Sequence, residues 1–192
     1  MVAGADDIAV RHVQICQTFL DEVRTVGAHW HCQSPCREWD ARGVLEHVIG
    51  FHDVLLLRPF GAKPRRPKDD PLGRWAATSE ALELLLSRPG LCEGVTDVPP
   101  VGNNPPSRID VGRLVPLLSL DLLIHTWDLA RAAGHDTTLD PELCRMFLDG
   151  LPSDEGALSG TGMYDSPRGV PAGSKPEAKL LARMGRDPGW SR

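Results

Sequence analysis

The stretch Val111-Gly-Arg-Leu-Val-Pro116-Leu-Leu-Ser-Leu-Asp121-Leu-Leu-Ile-His125-Thr-Trp-Asp128-Leu-Ala-Arg131-Ala-Ala133-Gly134 decides how this chain folds. It is the most apolar segment of the sequence and shows no polar/apolar alternation, so it reads as a buried helix rather than a strand. Gly134 supplies the stop, and Pro116 must fall in the first turn or kink the helix. Asp121 and His125 are one turn apart and share a face. Leu114, Leu118 and Ala132 lie on the same stripe, which makes it the core-facing side. A carboxylate and an imidazole on such a stripe are costly unless something satisfies them.

Working outward, a second helix begins at Asp40, whose short carboxylate suits an N-cap. It runs through Val44, Leu45, Val48, Phe51 and Leu55 and must end before Pro59. His47 sits on its apolar side. The spacing of Ile8, Val13, Ile15, Cys16, Phe19, Leu20 and Val23 predicts a first helix over about residues 6–26, with Gly27 as its stop. A third is predicted over about 71–87, ending at Pro89-Gly90. Residues 58–70, rich in Pro, Lys and Arg, read as a loop, as does the stretch up to about 110, with an extended piece near 95–98. Past Gly134 come a short helix near 141–148, a Gly/Pro/Ser-rich arm over 151–174 and a last short helix around 177–184. Four substantial helices without a strand pattern predict an all-α bundle. It forms one domain over residues 1–192, with the bundle at about 5–135 and a C-terminal extension at about 136–192.

One divalent metal ion would answer the polar problem on both helices together. Two imidazoles and a carboxylate, His47, Asp121 and His125, make a three-ligand set with a coordination position left open. Zinc suits these donors, and iron or nickel fits them too. The bland alternative is that each histidine is hydrogen-bonded in the core and that Asp121 and His125 pair with each other. Asp128, one turn past His125, would either orient a ligand or pair with Arg131 at the surface. His52 points well off the face of His47 and reads as a surface histidine or a residue of the pocket mouth. Trp39 and Trp127 read as core. His29, His31, Cys32 and Cys36 cluster in sequence but match no regular zinc spacing, and nothing near Cys36 in sequence supplies a base for a nucleophilic thiol.

Composition narrows the partners. Of the 192 residues 41 % are hydrophobic and 24 % charged, ordinary globular usage. The net charge of -5 argues against nucleic acid. Lys63, Arg65, Arg66 and Lys68 are broken by Pro64 and Pro67 and read as a solvated loop. No run of about 18 apolar residues exists to span a membrane, and the acidic first residues, Met1 to Asp7, lack a signal core. Five scattered cysteines suit a reducing compartment. The expectation is a cytoplasmic protein. Apolar residues on outward faces of the first and third helices would permit a homodimer.

Three blocks carry a family resemblance. Ser34-Pro-Cys36-Arg-Glu-Trp39-Asp-Ala-Arg-Gly-Val-Leu45-Glu-His47-Val-Ile-Gly50 resembles the start of the second helix in the DinB-like superfamily. More narrowly, it is similar to the N-terminal domain of mycothiol-dependent maleylpyruvate isomerases and their actinobacterial relatives. The block from Asp121 to Gly134 matches a later helix of the same family. The ending, Leu180-Leu-Ala-Arg-Met-Gly185-Arg-Asp187-Pro188-Gly-Trp190, resembles a stand-alone metal-binding subgroup.

The resemblance implies a DinB-like four-helix bundle whose metal is held by His47, Asp121 and His125, with mycothiol as a possible cosubstrate. It also implies a metal-dependent enzyme of small-thiol chemistry, a transferase or an isomerase. The isomerases carry Glu where Asp121 stands, and a second domain that helps to bind the thiol. The same ligands would also serve a metal-hydroxide hydrolase, or a non-catalytic metal-binding or sensing module.

Overall fold

The computed structural model describes residues 5–100, 102–154 and 156–192; the expectation about a signal core at Met1 to Asp7 falls mostly outside these. Among the described residues there are six α-helices: α1 (Ala5–Thr25), α2 (Ala41–His52), α3 (Pro71–Leu86), α4 (Val111–Ala133), α5 (Pro141–Gly150) and α6 (Pro176–Arg183). The all-α class holds. α4 is the centrepiece, and every residue from Leu118 to Ala130 is buried. It packs against α1 and α2; α3 also packs against α1 and α2, and α5 packs on α6.

The ends of the helices form where local chemistry favours them. Asp40 caps α2 by accepting from the Gly43 amide at 2.7 Å, and Asp70 caps α3 by accepting from Gly73 at 2.9 Å. α4 ends at Gly134, whose φ of 88° is the left-handed conformation that favours glycine. Pro116 lies inside α4, in its second turn, rather than in the first as one of the two expectations had it.

α1 buries the stripe Ile15, Cys16, Phe19 and Val23. Phe19 meets Trp75 of α3 edge to face, with ring centroids 4.8 Å apart, and the Trp75 indole donates to the Cys16 carbonyl at 3.2 Å. Burying such an aromatic pair contributes about 1 kcal/mol beyond the area removed from water. α2 is tied to α3 by a forked ion pair, Arg74 on Glu46 at 2.9 and 2.6 Å.

Two regions depart from the sequence reading. α2 continues into a π turn, Asp53–Leu57, whose buried Asp53 accepts from Arg58 at 2.6 Å and from Arg66 at 2.8 Å. Arg66 also donates to Thr78 at 2.7 Å. It is therefore a strut between the loop and the bundle, and with Arg58 it compensates the buried Asp53 charge. The long loop before α4 holds a small antiparallel hairpin, β1 (Val95–Val98) with β2 (Ser107–Asp110), in which Thr96 pairs with Ile109. Ile109 is the one apolar residue of β2, too little alternation to announce a strand. No helix among the described residues is long and apolar enough to cross a membrane.

Candidate metal centre

His47, Asp121 and His125 come together where α2 crosses α4, each offering a ligand atom within 4.8 Å of the others. α2 turns Val44, Leu45 and Val48 fully into the core, and this phase carries His47 to the seam with α4. Its ring is stacked on Trp39, centroids 4.2 Å apart and planes at 24°, and leans on Phe51 at 4.5 Å. Asp121 and His125 are 5 % and 3 % exposed.

The distances distinguish a ligand set from an ordinary polar pair. His47 Nε2 lies 3.4 Å from Asp121 Oδ2, and His125 Nε2 lies 3.6 Å from Asp121 Oδ1. Both exceed the roughly 2.7–3.2 Å of an N–H···O hydrogen bond, and Asp121 Oδ2 is buried without a hydrogen-bond partner. Donors bound at about 2.05 Å around a tetrahedral zinc stand about 3.3 Å apart. The two imidazoles stand close to this spacing, each from a different oxygen of Asp121, and the three ligand atoms lie within 4.8 Å of one another with an orphaned carboxylate oxygen among them. The donor set fits a divalent cation.

The next layer orients the histidine. His125 Nδ1 lies 2.9 Å from Asp128 Oδ2, which leaves Nε2 for the centre. Asp128, fully buried, is gripped by Arg186: Nη2 donates to Oδ2 at 2.8 Å, and Nε reaches the two oxygens at 3.0 and 3.1 Å. Arg186 reaches inward from the C-terminal extension because Gly185 turns the chain with φ of 80°. A Cβ on Gly185 would stand 2.5 Å from Asp165 Cβ, so the arm can close this tightly only on glycine.

Charge follows this wiring. Burial works against the ionised form of Asp121, but His125 and His47 outweigh it and hold the carboxyl far below its usual range. Burial likewise opposes charging His125, yet Asp121 and Asp128 push its pKa up to about 9. For Asp128, burial is overcome by Arg186 and His125, and its pKa falls.

The centre opens onto a cleft of about 220 Å³ lined by Trp39, Cys36, Tyr164 and Arg186 as well as the three candidate ligands. Burial, with a smaller effect of Asp121, pushes the Tyr164 phenol up, so it stays protonated. Burial also raises the Cys36 thiol to about 11, against the pull of Arg186, so at neutral pH it is not a thiolate nucleophile.

Several sequence expectations change. His52 is not a surface or pocket-mouth residue: it is fully buried and bonded through Nδ1 to the Val48 carbonyl at 2.7 Å. Five residues from His47, it faces α1 and α3 instead of the centre, lying against His12 and Trp75. Trp39 is half-buried and walls the cleft rather than filling the core, whereas Trp127 is core. Asp128 does not pair with Arg131, which bonds Asp136 and the Trp190 carbonyl. His29 and Cys32 meet Arg192, while His31 is solvent-exposed beside Asp40. Arg186 and Tyr164 escaped the sequence reading; each lies in the extension, with no periodicity to tie it to α4.

Comparison with known proteins adds relatives but no activity. The chain is 34 % identical over 113 residues to two uncharacterized proteins of Mycobacterium tuberculosis, one from strain CDC 1551 / Oshkosh and one from strain ATCC 25618 / H37Rv. Each match covers 57 % of this chain and 58 % of the relative, so the chain spans less than two thirds of the length of the curated relatives it matches. No family model matches the chain. No solved structure matches it either.

Proposed function

We propose that the protein is a metal-dependent enzyme of small-thiol chemistry, built on a DinB-like four-helix bundle and acting as an S-transferase or isomerase with a mycothiol-type thiol. The observation that carries this reading is the Asp121 carboxylate, one oxygen of it orphaned, flanked by two imidazoles at 3.4 and 3.6 Å on the wall of an open cleft. His47, Asp121 and His125 would hold the ion, zinc by preference, with iron or nickel suited to the same donors. A divalent cation there favours the reactive thiolate form of a small thiol at neutral pH.

The remaining residues prepare and shield the site. Asp128, fixed by Arg186, holds the His125 ring so that Nε2 faces inward. Trp39 and Phe51 clamp the His47 ring from two sides. The Tyr164 phenol, protonated and beside the cleft, is placed to donate a hydrogen bond to a substrate oxygen. Arg37 and Glu38 at the cleft rim suit the hydrophilic body of a sugar-linked thiol.

The test is S-conjugation. Zinc-loaded protein mixed with mycothiol and monobromobimane is expected to join sulfur to carbon, with bromide leaving and the thiol proton passing to buffer. The rate should exceed that of an Asp121→Ala variant. Equal rates, or turnover of an ester or amide that needs no thiol, would overturn the reading.

A further inference from the structure

Sharing the Met163–Tyr164 segment with the polar cleft is a second cavity, of about 230 Å³. Its walls are mainly apolar: Phe51 of α2, Leu55 of the π turn, Ile109 of β2, and Leu114, Leu117 and Leu118 of α4. Asp121, Met163 and Tyr164 border both cavities. Through Asp121 the candidate centre therefore touches both a polar cleft, with Arg37, Glu38 and Asp165 on its lining, and an apolar chamber.

We propose that this chamber receives the apolar part, an aromatic ring or branched aliphatic group, of the molecule whose polar end meets His47, Asp121 and His125. The inference rests on the thiol-enzyme reading and sharpens it: the cleft takes the hydrophilic part of the reacting molecules and the chamber the apolar part of whichever of them meets the centre.

Size and chemistry both support this occupant. An apolar cavity of about 150 Å³ is enough to hold benzene. Leu117 stays 54 % exposed at the rim although α4 is buried along most of its length, leaving apolar surface for a ligand to cover. Asp121 lines the chamber, so a small molecule with an apolar body and a polar head can fill the chamber and reach the candidate centre at once, which the apolar face of another protein does not do.

Fluorobenzene is the probe for the chamber alone, followed by 19F NMR and by amide shifts of the 15N-labelled protein, with and without zinc. It is expected to shift Ile109, Leu117 and Leu118 more than Arg37 and Glu38. Leu117→Glu, at a rim position that tolerates charge, should weaken binding about tenfold or more, and Leu117→Met should retain it. Binding unchanged by Leu117→Glu, or shifts elsewhere, would overturn the proposal. So would a dimer in solution that Leu117→Glu dissociates, since the face would then belong to a second copy.

The link to the centre is read by calorimetry on zinc-loaded protein. Benzyl mercaptan is expected to bind at least about tenfold tighter than 2-mercaptoethanol, with the preference lost in Leu117→Glu. Equal affinities would overturn the proposal. If neither thiol binds while fluorobenzene still fills the chamber, the thiol reading falls alone and the chamber's choice of apolar groups stands.

Discussion

The bundle buries two histidine clusters, and they are built on opposite principles. Around α4, His125 is flanked by two carboxylates, Asp121 and Asp128, and the cluster opens on a cleft. Between α1 and α2, His12 and His52 are fully buried with centroids 5.1 Å apart. His12 Nδ1 lies 2.8 Å from the Ser119 hydroxyl, and both Nε2 atoms are buried and unpartnered. Here burial, with the neighbouring imidazole, pushes His12 well below its ordinary range, and burial lowers His52. The lesson is that burial alone keeps a histidine neutral and inert. It takes a carboxylate, itself anchored by Arg186, to make a buried histidine part of a centre with charge.

The largest expected difference between the clusters is their response to metal. Zinc present at about a thousand times its dissociation constant should stabilise the wild type by about 4 kcal/mol, read by denaturant unfolding with and without chelator. His12→Leu should respond alike and Asp121→Ala not at all. A metal response lost in His12→Leu would break the comparison.

Next in size is the anchor. Arg186→Met leaves Asp128 buried with a single partner, so a loss of about 3 kcal/mol in unfolding free energy is expected. Asp128→Asn should weaken zinc binding about 10- to 100-fold, measured by competition with a chromophoric chelator. A variant at Arg186 as stable as the wild type would mean that the arm does not hold the site together.

Much of this was legible in the sequence, and the omissions have physical causes. α4 announced itself through Val111–Gly134 because its composition, its stripe and its glycine stop agree. His47, Asp121 and His125 were legible because polar groups on a core stripe demand a partner. His12 lies on the stripe Ile8, Cys16, Phe19 and Val23 at helical spacing, but it has no carboxylate one turn away, as His125 has in Asp121, to single it out. The Arg186–Asp128 pair spans 58 positions and depends on one left-handed glycine, Gly185, so no periodic pattern reports it. The hairpin was half legible: Val95–Val98 carries two valines and a threonine, residues that favour strands, whereas Ser107–Asp110 has Ile109 alone.

Titration separates the clusters with opposite signs. In the metal-free protein the folded pKa of His125 is raised from 6.5 to about 9. Its contribution to stability is complete below 6.5 and is lost as pH rises through about 9. His12 is depressed below 6.5, so its share is present above 6.5 and lost as pH falls. Urea unfolding across this range should show a falling alkaline limb that zinc abolishes, and an acid limb that His12→Leu makes shallower. The smallest effect is on stability at neutral pH: His12→Leu should change it by less than about 1 kcal/mol, since Ser119 keeps its bond to the Val115 carbonyl at 2.8 Å.

The central claim is that three side chains from two helices hold one ion, and metal analysis of the purified protein tests it most directly. The wild type should carry one equivalent of zinc, iron or nickel, and a folded His47→Ala variant should carry little or none. Equal metal content in the two proteins would contradict the account.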